Sequence, residues 1–185
     1  MTRLSTLPEI EAALWQELGS AATDKQHPWR TPVLATTDGE VADARTVVMR
    51  EVSADQKILT IYTDQRSAKV AQLGPHPVGT LVMWSHRLGW QIRCRVQLTL
   101  ETAGLAVSSR WARIKLSPAA QDYLSPLPPG AELPGDPTPD GQNRGDLPYF
   151  AVMDCQVLSI DWLELHADGH RRALFSGKEA RWLQP

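Results

Sequence analysis

"VGTLVMWSHRLGWQIRCRVQLTL", residues 78–100, decides the fold. Val78 to Trp84 and Trp90 to Leu100 read as two strands joined across Ser85-His86-Arg87-Leu88-Gly89. In the second strand Ile92, Cys94 and Val96 alternate with Gln91, Arg93, Arg95 and Gln97. Side chains of a strand point alternately to its two faces, so this period of two buries one face and leaves the other polar. The pair predicts an antiparallel sheet with a single apolar side.

Working outward, further strands appear on both flanks. Upstream, "TPVLATT", an Asp38-Gly39 turn and "VADARTVVMREV" predict a strand, a tight turn and a second strand. "ILTIYT" is a third, and a helix is predicted from about Gln65 to the Gly74-Pro75 stop. Downstream, residues 105–124 read as helix, and "YFAVMDCQVLSIDWLEL", "RRALFSG" and "KEARWLQP" read as strands around a His166–His170 turn. Near the start, Leu7, Ile10, Ala13, Leu14 and Leu18 have helical spacing, with Pro8 tolerated in the first turn. Residues 126–148 hold many of the Pro and Gly residues and are expected to form a surface loop. The sum is an α+β fold, an antiparallel barrel of six or more strands with flanking helices, in one domain spanning 1–185.

Composition narrows the function. A formal net charge of -2 gives no electrostatic footprint for nucleic acid or an anionic membrane. No run approaches the roughly 18 apolar residues of a membrane span. The N-terminus lacks the apolar block of a signal peptide, so a cytoplasmic protein is expected. Cys94 and Cys155 have no metal-like spacing and are expected to be buried free thiols. His166 and His170 flank a turn without a third ligand, so no metal site is expected.

Three cationic features stand out. "ARTVVMR" puts Arg45 and Arg50 on a strand otherwise suited to a core. "YTDQRSAK" sets Arg66 and Lys69 at a helix start, where the macrodipole disfavours cations by about 0.3–1 kcal/mol each. Thr63 and Asp64 are the expected N-caps of that helix. "WQIRCR" puts Gln91, Arg93 and Arg95 on one strand face. Together they predict a phosphate pocket, in which a dianion would engage free amides and Lys69 at once.

The order R-x-V-V-x-[RK], Y-T-D-x-R-S-x-K and W-x(6)-Q-[IF]-R resembles the pyridoxamine 5'-phosphate oxidase family, and in particular its oxidase-related subfamily. Trp162, followed ten residues later by Arg172, agrees with it, and the match spans about 29–101 and 150–185. The resemblance implies an FMN-binding split β-barrel, a homodimer with FMN at the interface, and flavin-mediated oxidation of a small substrate. It implies that Arg45 and Lys69 hold the FMN phosphate with the hydroxyls of Thr63 and Ser67. Thr46, Val47 and Val48, with Tyr62, would line the ribityl chain and a ring face. Gln91 would reach the flavin from the partner, and Trp162 and Arg172 would border the isoalloxazine. Arg50 and His170 are the implied substrate contacts, while catalytic residues stay unassigned.

The departures fall mainly on the substrate side. Ala68 stands where the oxidases have an Arg, with Arg66 offered as a substitute. Their Tyr-x3-Arg-x3-Ser clamp reads Trp111, Lys115 and Ala119, and their Arg-x-His reads Asp168 and His170. An acid in place of a cation argues against a phosphorylated substrate. Two classes therefore remain: an FMN-dependent oxidoreductase, and a non-catalytic flavin-binding or redox-sensing module.

Overall fold

The computed structural model describes residues 3–133, 135 and 149–185. The first helix, α1 (Leu7–Thr23), opens on a capping box: Glu9 N–H donates to Thr6 Oγ1 at 3.4 Å, and Thr6 N–H to Glu9 Oε2 at 3.0 Å. Its fully buried stripe, Ile10, Leu14, Leu18 and Ala21, packs over the barrel with Trp29. Each large member contributes about 1.5–3 kcal/mol of burial.

The strands follow as β1 (Val33–Thr37), β2 (Ala42–Thr46), β3 (Met49–Ser53), β4 (Ile58–Asp64), β5 (Val78–Ser85), β6 (Trp90–Glu101), β7 (Phe150–Glu164), β8 (Arg171–Ser176) and β9 (Glu179–Leu183). All pairings are antiparallel, in the order β2-β1-β5-β6-β7-β4-β3, with β8 on β7 and β9 on β8. The stretch read as one strand, "VADARTVVMREV", is two. At Val47 and Met49 the backbone N–H groups donate to the carbonyls of Pro32 and Arg30, each at 2.9 Å. These bonds join the start of β3 to the approach to β1 and close β1, β5, β6, β7, β4 and β3 into a ring. The chain bends between β2 and β3 because its partner changes there from β1 to β4.

β7 holds the split. Its first half, Phe150–Gln156, pairs with β4, and Ser159–Glu164 pairs with β8 along the same edge. β6 runs along the other edge. Arg95 faces Ser159 and Val96 faces Val157, so Leu158 is the extra residue of a bulge where the partner switches.

The predicted alternation in β6 holds: Ile92, Cys94, Val96 and Leu98 are at most 3% exposed, and their neighbours face outward. Cys94 and Cys155 are free and buried, and burial pushes the Cys94 thiol up to about 12. A second apolar cluster lies outside the barrel, where α3 (Leu105–Ile114) packs Val107 and Trp111 on Phe150 and Val152. The helix read as continuous over 105–124 breaks into α3 and a 3-10 turn, Pro118–Tyr123. Pro118 lacks an N–H and disfavours helical backbone in the residue before it. The expected loop at 126–148 lies mostly outside the described residues; residues 126–133 and 135 hold no helix or strand.

At the far end of the barrel, Glu164 is 5% exposed and accepts from Trp90 Nε1, Arg3 and Arg171. Burial raises its pKa, but the hydrogen bonds from Arg171 and Arg3 outweigh burial and hold it below the usual carboxylate range.

Candidate functional site

The segment after β4 differs from expectation. Asp64 Oδ1 accepts from the N–H of Arg66 at 2.7 Å, an Asx turn that delays the helix. The helix, α2 (Ala68–Leu73), is six residues long, and its N-cap is Ser67, not Thr63 or Asp64. Arg66 is a strut. It pairs with Asp64 at 2.7 Å, lies 3.2 Å from the Tyr149 ring centroid, and donates to the carbonyls of Ser125 and Pro126. It is thereby committed to the ends of the 126–148 segment and does not replace the cation missing at Ala68.

Lys69 is different. Its ammonium donates to Ser67 Oγ at 3.0 Å, and Ser67 Oγ lies 3.3 Å from Thr63 Oγ1. Arg45 reaches the same end of the barrel from β2, donating to Thr36 Oγ1 at 2.5 Å and Leu34 O at 3.3 Å. Gln72 Oε1 accepts from Arg45 at 3.4 Å and also from Thr36. Burial, then the charge of Arg45, lower the Lys69 pKa, partly offset by Asp64 and Asp43. Two cations from separate elements thus share a half-buried corner with two buried hydroxyls. That donor set fits a phosphate, whose negative oxygens reverse the mutual repulsion of the cations.

Of the other expected contacts, Thr46, Val47 and Val48 form the bend beside Arg45, with Thr46 exposed and Val47 buried. Arg50 is the extra residue of a bulge in β3, since Met49 faces Ile61 and Glu51 faces Thr60. Its guanidinium lies 5.7 Å from the Tyr62 ring centroid, and its buried Nε has no hydrogen-bond partner. Arg45 contacts Thr36, Leu34, Asp43 and Gln72, so the two arginines share no partner among the described residues.

Gln91 and Arg172 face outward on either side of Leu163, near the opposite end of the strands. Thr36 lies at the level of Val96 on β6, five residues from Gln91, or about 17 Å. Arg172 is bound to Asp161 at 2.7 and 3.0 Å, and Arg93 joins it on the same carboxylate. Trp162 is fully buried against Trp90 and Trp182 and occupies the core. His170 sits on the exposed β7–β8 turn, where its Nδ1 accepts from His166 N–H. Among the described residues no group of three or more His, Cys, Asp or Glu side chains could hold a metal, and no helix is long and apolar enough to cross a membrane.

Asp43, Thr36 and Gln72 belong to the corner and went unnoticed in the sequence. Asp43 is two residues before Arg45, hence on the same strand face, and Gln72 is three after Lys69, hence on the same helix face. Those spacings were the available signal.

Tyr62, on the opposite face of β4 from Thr63, packs on Phe150 in the cluster outside the barrel and not at the Arg45–Lys69 corner. Burial and its hydrogen bond to Glu51 at 2.8 Å push its hydroxyl up to about 12 from 10.0. The folded state then holds a proton that the unfolded state releases, so this contribution is full below about pH 10 and is lost as pH rises to about 12. Denaturant titrations across that range should show a steeper alkaline loss for wild type than for Tyr62→Phe. Parallel pH profiles would contradict the assignment.

The fold and site define a split antiparallel barrel with a two-cation anion corner. Residues 12–102, about half of the chain, match the family model for pyridoxamine 5'-phosphate oxidase, FMN-binding domain. No curated protein matches it. Among solved structures it is similar to a pyridoxamine 5'-phosphate oxidase-related, FMN binding protein from Nostoc punctiforme PCC 73102, with 23% identity, 98% of this chain and 100% of that one covered, and a TM-score of 0.70. It is also similar to PhzG from Burkholderia lata 383, solved with tetrahydrophenazine-1-carboxylic acid (15% identity, 96% and 92% covered, TM-score 0.73). A heme binding protein from Mycobacterium smegmatis is similar at 16% identity, with 95% of this chain and 60% of that one covered and a TM-score of 0.53. At these identities the likeness is one of fold.

Proposed function

We propose that the chain binds FMN by its phosphate at the Arg45–Lys69 corner and acts as a flavin-dependent oxidoreductase on a small substrate. The observation that carries this reading is that Lys69, held on the Ser67 and Thr63 hydroxyls, and Arg45, held on Thr36 and on Gln72 of α2, lie close enough for the charge of one to act on the other. Bound FMN would supply a ring that accepts a hydride from substrate and passes the electrons on. The chain's own part is to fix the phosphate, which orients the rest of the molecule along the bend at Thr46, Val47 and Val48. Arg50 would present a cation to the substrate: its bulge turns it out of the β3 register, and its unpartnered Nε seeks an acceptor.

We also propose a homodimer with FMN at the interface. Gln91 and Arg172 lie too far along the strands to share one chain's flavin with the phosphate corner, so a second copy would supply them. The outer face of β1 and β5 exposes Val33, Val78 and Trp84. Ala35, Val78, Arg95 and Leu158 border a groove of about 430 Å³ there. Such a face suits burial against a partner.

A second reading, a flavin-binding module without turnover, is favoured by two observations. Trp111 is committed to the cluster with Tyr123 and Phe150, and His170 lies on the turn at the far end of β7. Heat release and chromatography of the bound flavin should identify FMN, and light scattering should give twice the 20.5 kDa of one chain. Anaerobic reduction by candidate donors then separates enzyme from module. A protein that binds FAD, haem or no flavin after reconstitution overturns the FMN reading, and a flavin-loaded monomer overturns the dimer.

A further inference from the structure

The corner holds an acid as well as two cations. Asp43 precedes Arg45 by two positions on β2, and its Oδ2 pairs with Arg45 Nη2. The same carboxylate acts on Lys69, where it favours the charged ammonium. Arg66, the other cation nearby, is committed to Asp64 and the Tyr149 ring. Ala68 contributes no charge. Any phosphate bound between Arg45 and Lys69 therefore meets one carboxylate already on Arg45.

We infer that Asp43 is an intrachain competitor for the phosphate-binding arginine, which sets the affinity of the corner low enough for FMN to exchange with solution. This rests on the FMN reading and adds a specific role for a residue outside its contact set. The competition has two parts. The Asp43 carboxylate must give up Arg45 or share it, since a guanidinium has one planar fork to offer. Whichever occurs, a phosphate dianion then lies beside a like charge. Asp43 is itself about half exposed, with a side-chain exposure of 48%, so solvent screens this repulsion. A unit charge pair about 4 Å apart in water-like surroundings changes an equilibrium roughly fivefold.

Asp43 lies on the edge strand β2 with its side chain half in solvent, so its replacement spares the core. The test uses the full chain, stripped of flavin, as wild type, Asp43→Asn and Asp43→Ser. FMN and riboflavin are titrated by flavin fluorescence at low and high salt. Both variants are expected to bind FMN about fivefold more tightly than wild type and to release it more slowly. Riboflavin affinity should match across all three, and the FMN gain should shrink as salt rises. Wild type that prefers FMN to riboflavin, with variants equal to or weaker than it for FMN, overturns the role of Asp43 and leaves the phosphate corner standing. A gain shared equally by riboflavin also overturns it. Wild type with no preference for FMN over riboflavin overturns the phosphate corner, and the inference with it.

Discussion

Replacing Lys69 by Ala is expected to weaken FMN binding by about ten- to a hundredfold and to leave riboflavin binding unchanged. A charge-assisted hydrogen bond to a phosphate contributes about 1.5–3 kcal/mol. Each 1.4 kcal/mol is tenfold in affinity, which sets that range. The flavin-free protein should keep its stability or gain slightly, because Lys69 is partly buried and faces the like charge of Arg45. A merely solvated lysine would give no selective loss. Titrating wild type and variant with both flavins decides the matter: equal FMN affinities, or equal losses for FMN and riboflavin, would show that this corner does not hold the phosphate.

The second large effect concerns Trp162, for which fold and resemblance point in different directions. The resemblance makes it a border of the flavin ring, whereas its side chain is 0% exposed, 5.5 Å from Trp90 and 6.3 Å from Trp182 between centroids. Trp162→Ala should therefore cost about 3–5 kcal/mol of folding stability, a large part of the roughly 5–15 kcal/mol of a typical domain. Trp162→Phe should cost far less than the alanine variant. It keeps the edge-to-face packing on Trp90 and removes an indole N–H that has no acceptor. Urea denaturation measures both. If Trp162→Phe is as stable as wild type but loses FMN selectively, Trp162 is a flavin contact after all.

The barrel was legible in residues 78–100 because one strand there buries a single face, and that gives a clean period of two. α1 was legible because Leu7, Ile10, Leu14 and Leu18 share a stripe and Pro8 suits a first turn. β7 was harder to read. Its run from Phe150 to Met153 is buried on both faces, inward by the barrel and outward by α3, and this hides alternation. The double pairing of its edge is a tertiary fact with no local trace. Arg45 and Lys69 were picked out because cations sat where an apolar strand and a helix start disfavour them. The same logic misread Arg66, since Asp64, two residues away, supplies a local partner that periodicity does not reveal. Asp43 was missed because an acid on an edge strand is ordinary until its neighbour is known.

The position of β7 also bears on how the chain reaches this state. Ile58 pairs with Gln156 and Glu101 with Val152, so the last long strand closes a ring whose other members are made much earlier. Until it emerges from the ribosome, β4 and β6 each present an edge with no mate, and no local element can serve instead. Closing loops of that length before any contact forms is entropically costly, which places such topologies among the slower folders, on the order of milliseconds to seconds. Open edges held that long are sites for mispairing with other chains. Pairing of β7 is thus the step that covers both open edges, and whatever slows translation between Glu101 and Phe150 lengthens the interval in which they stay open.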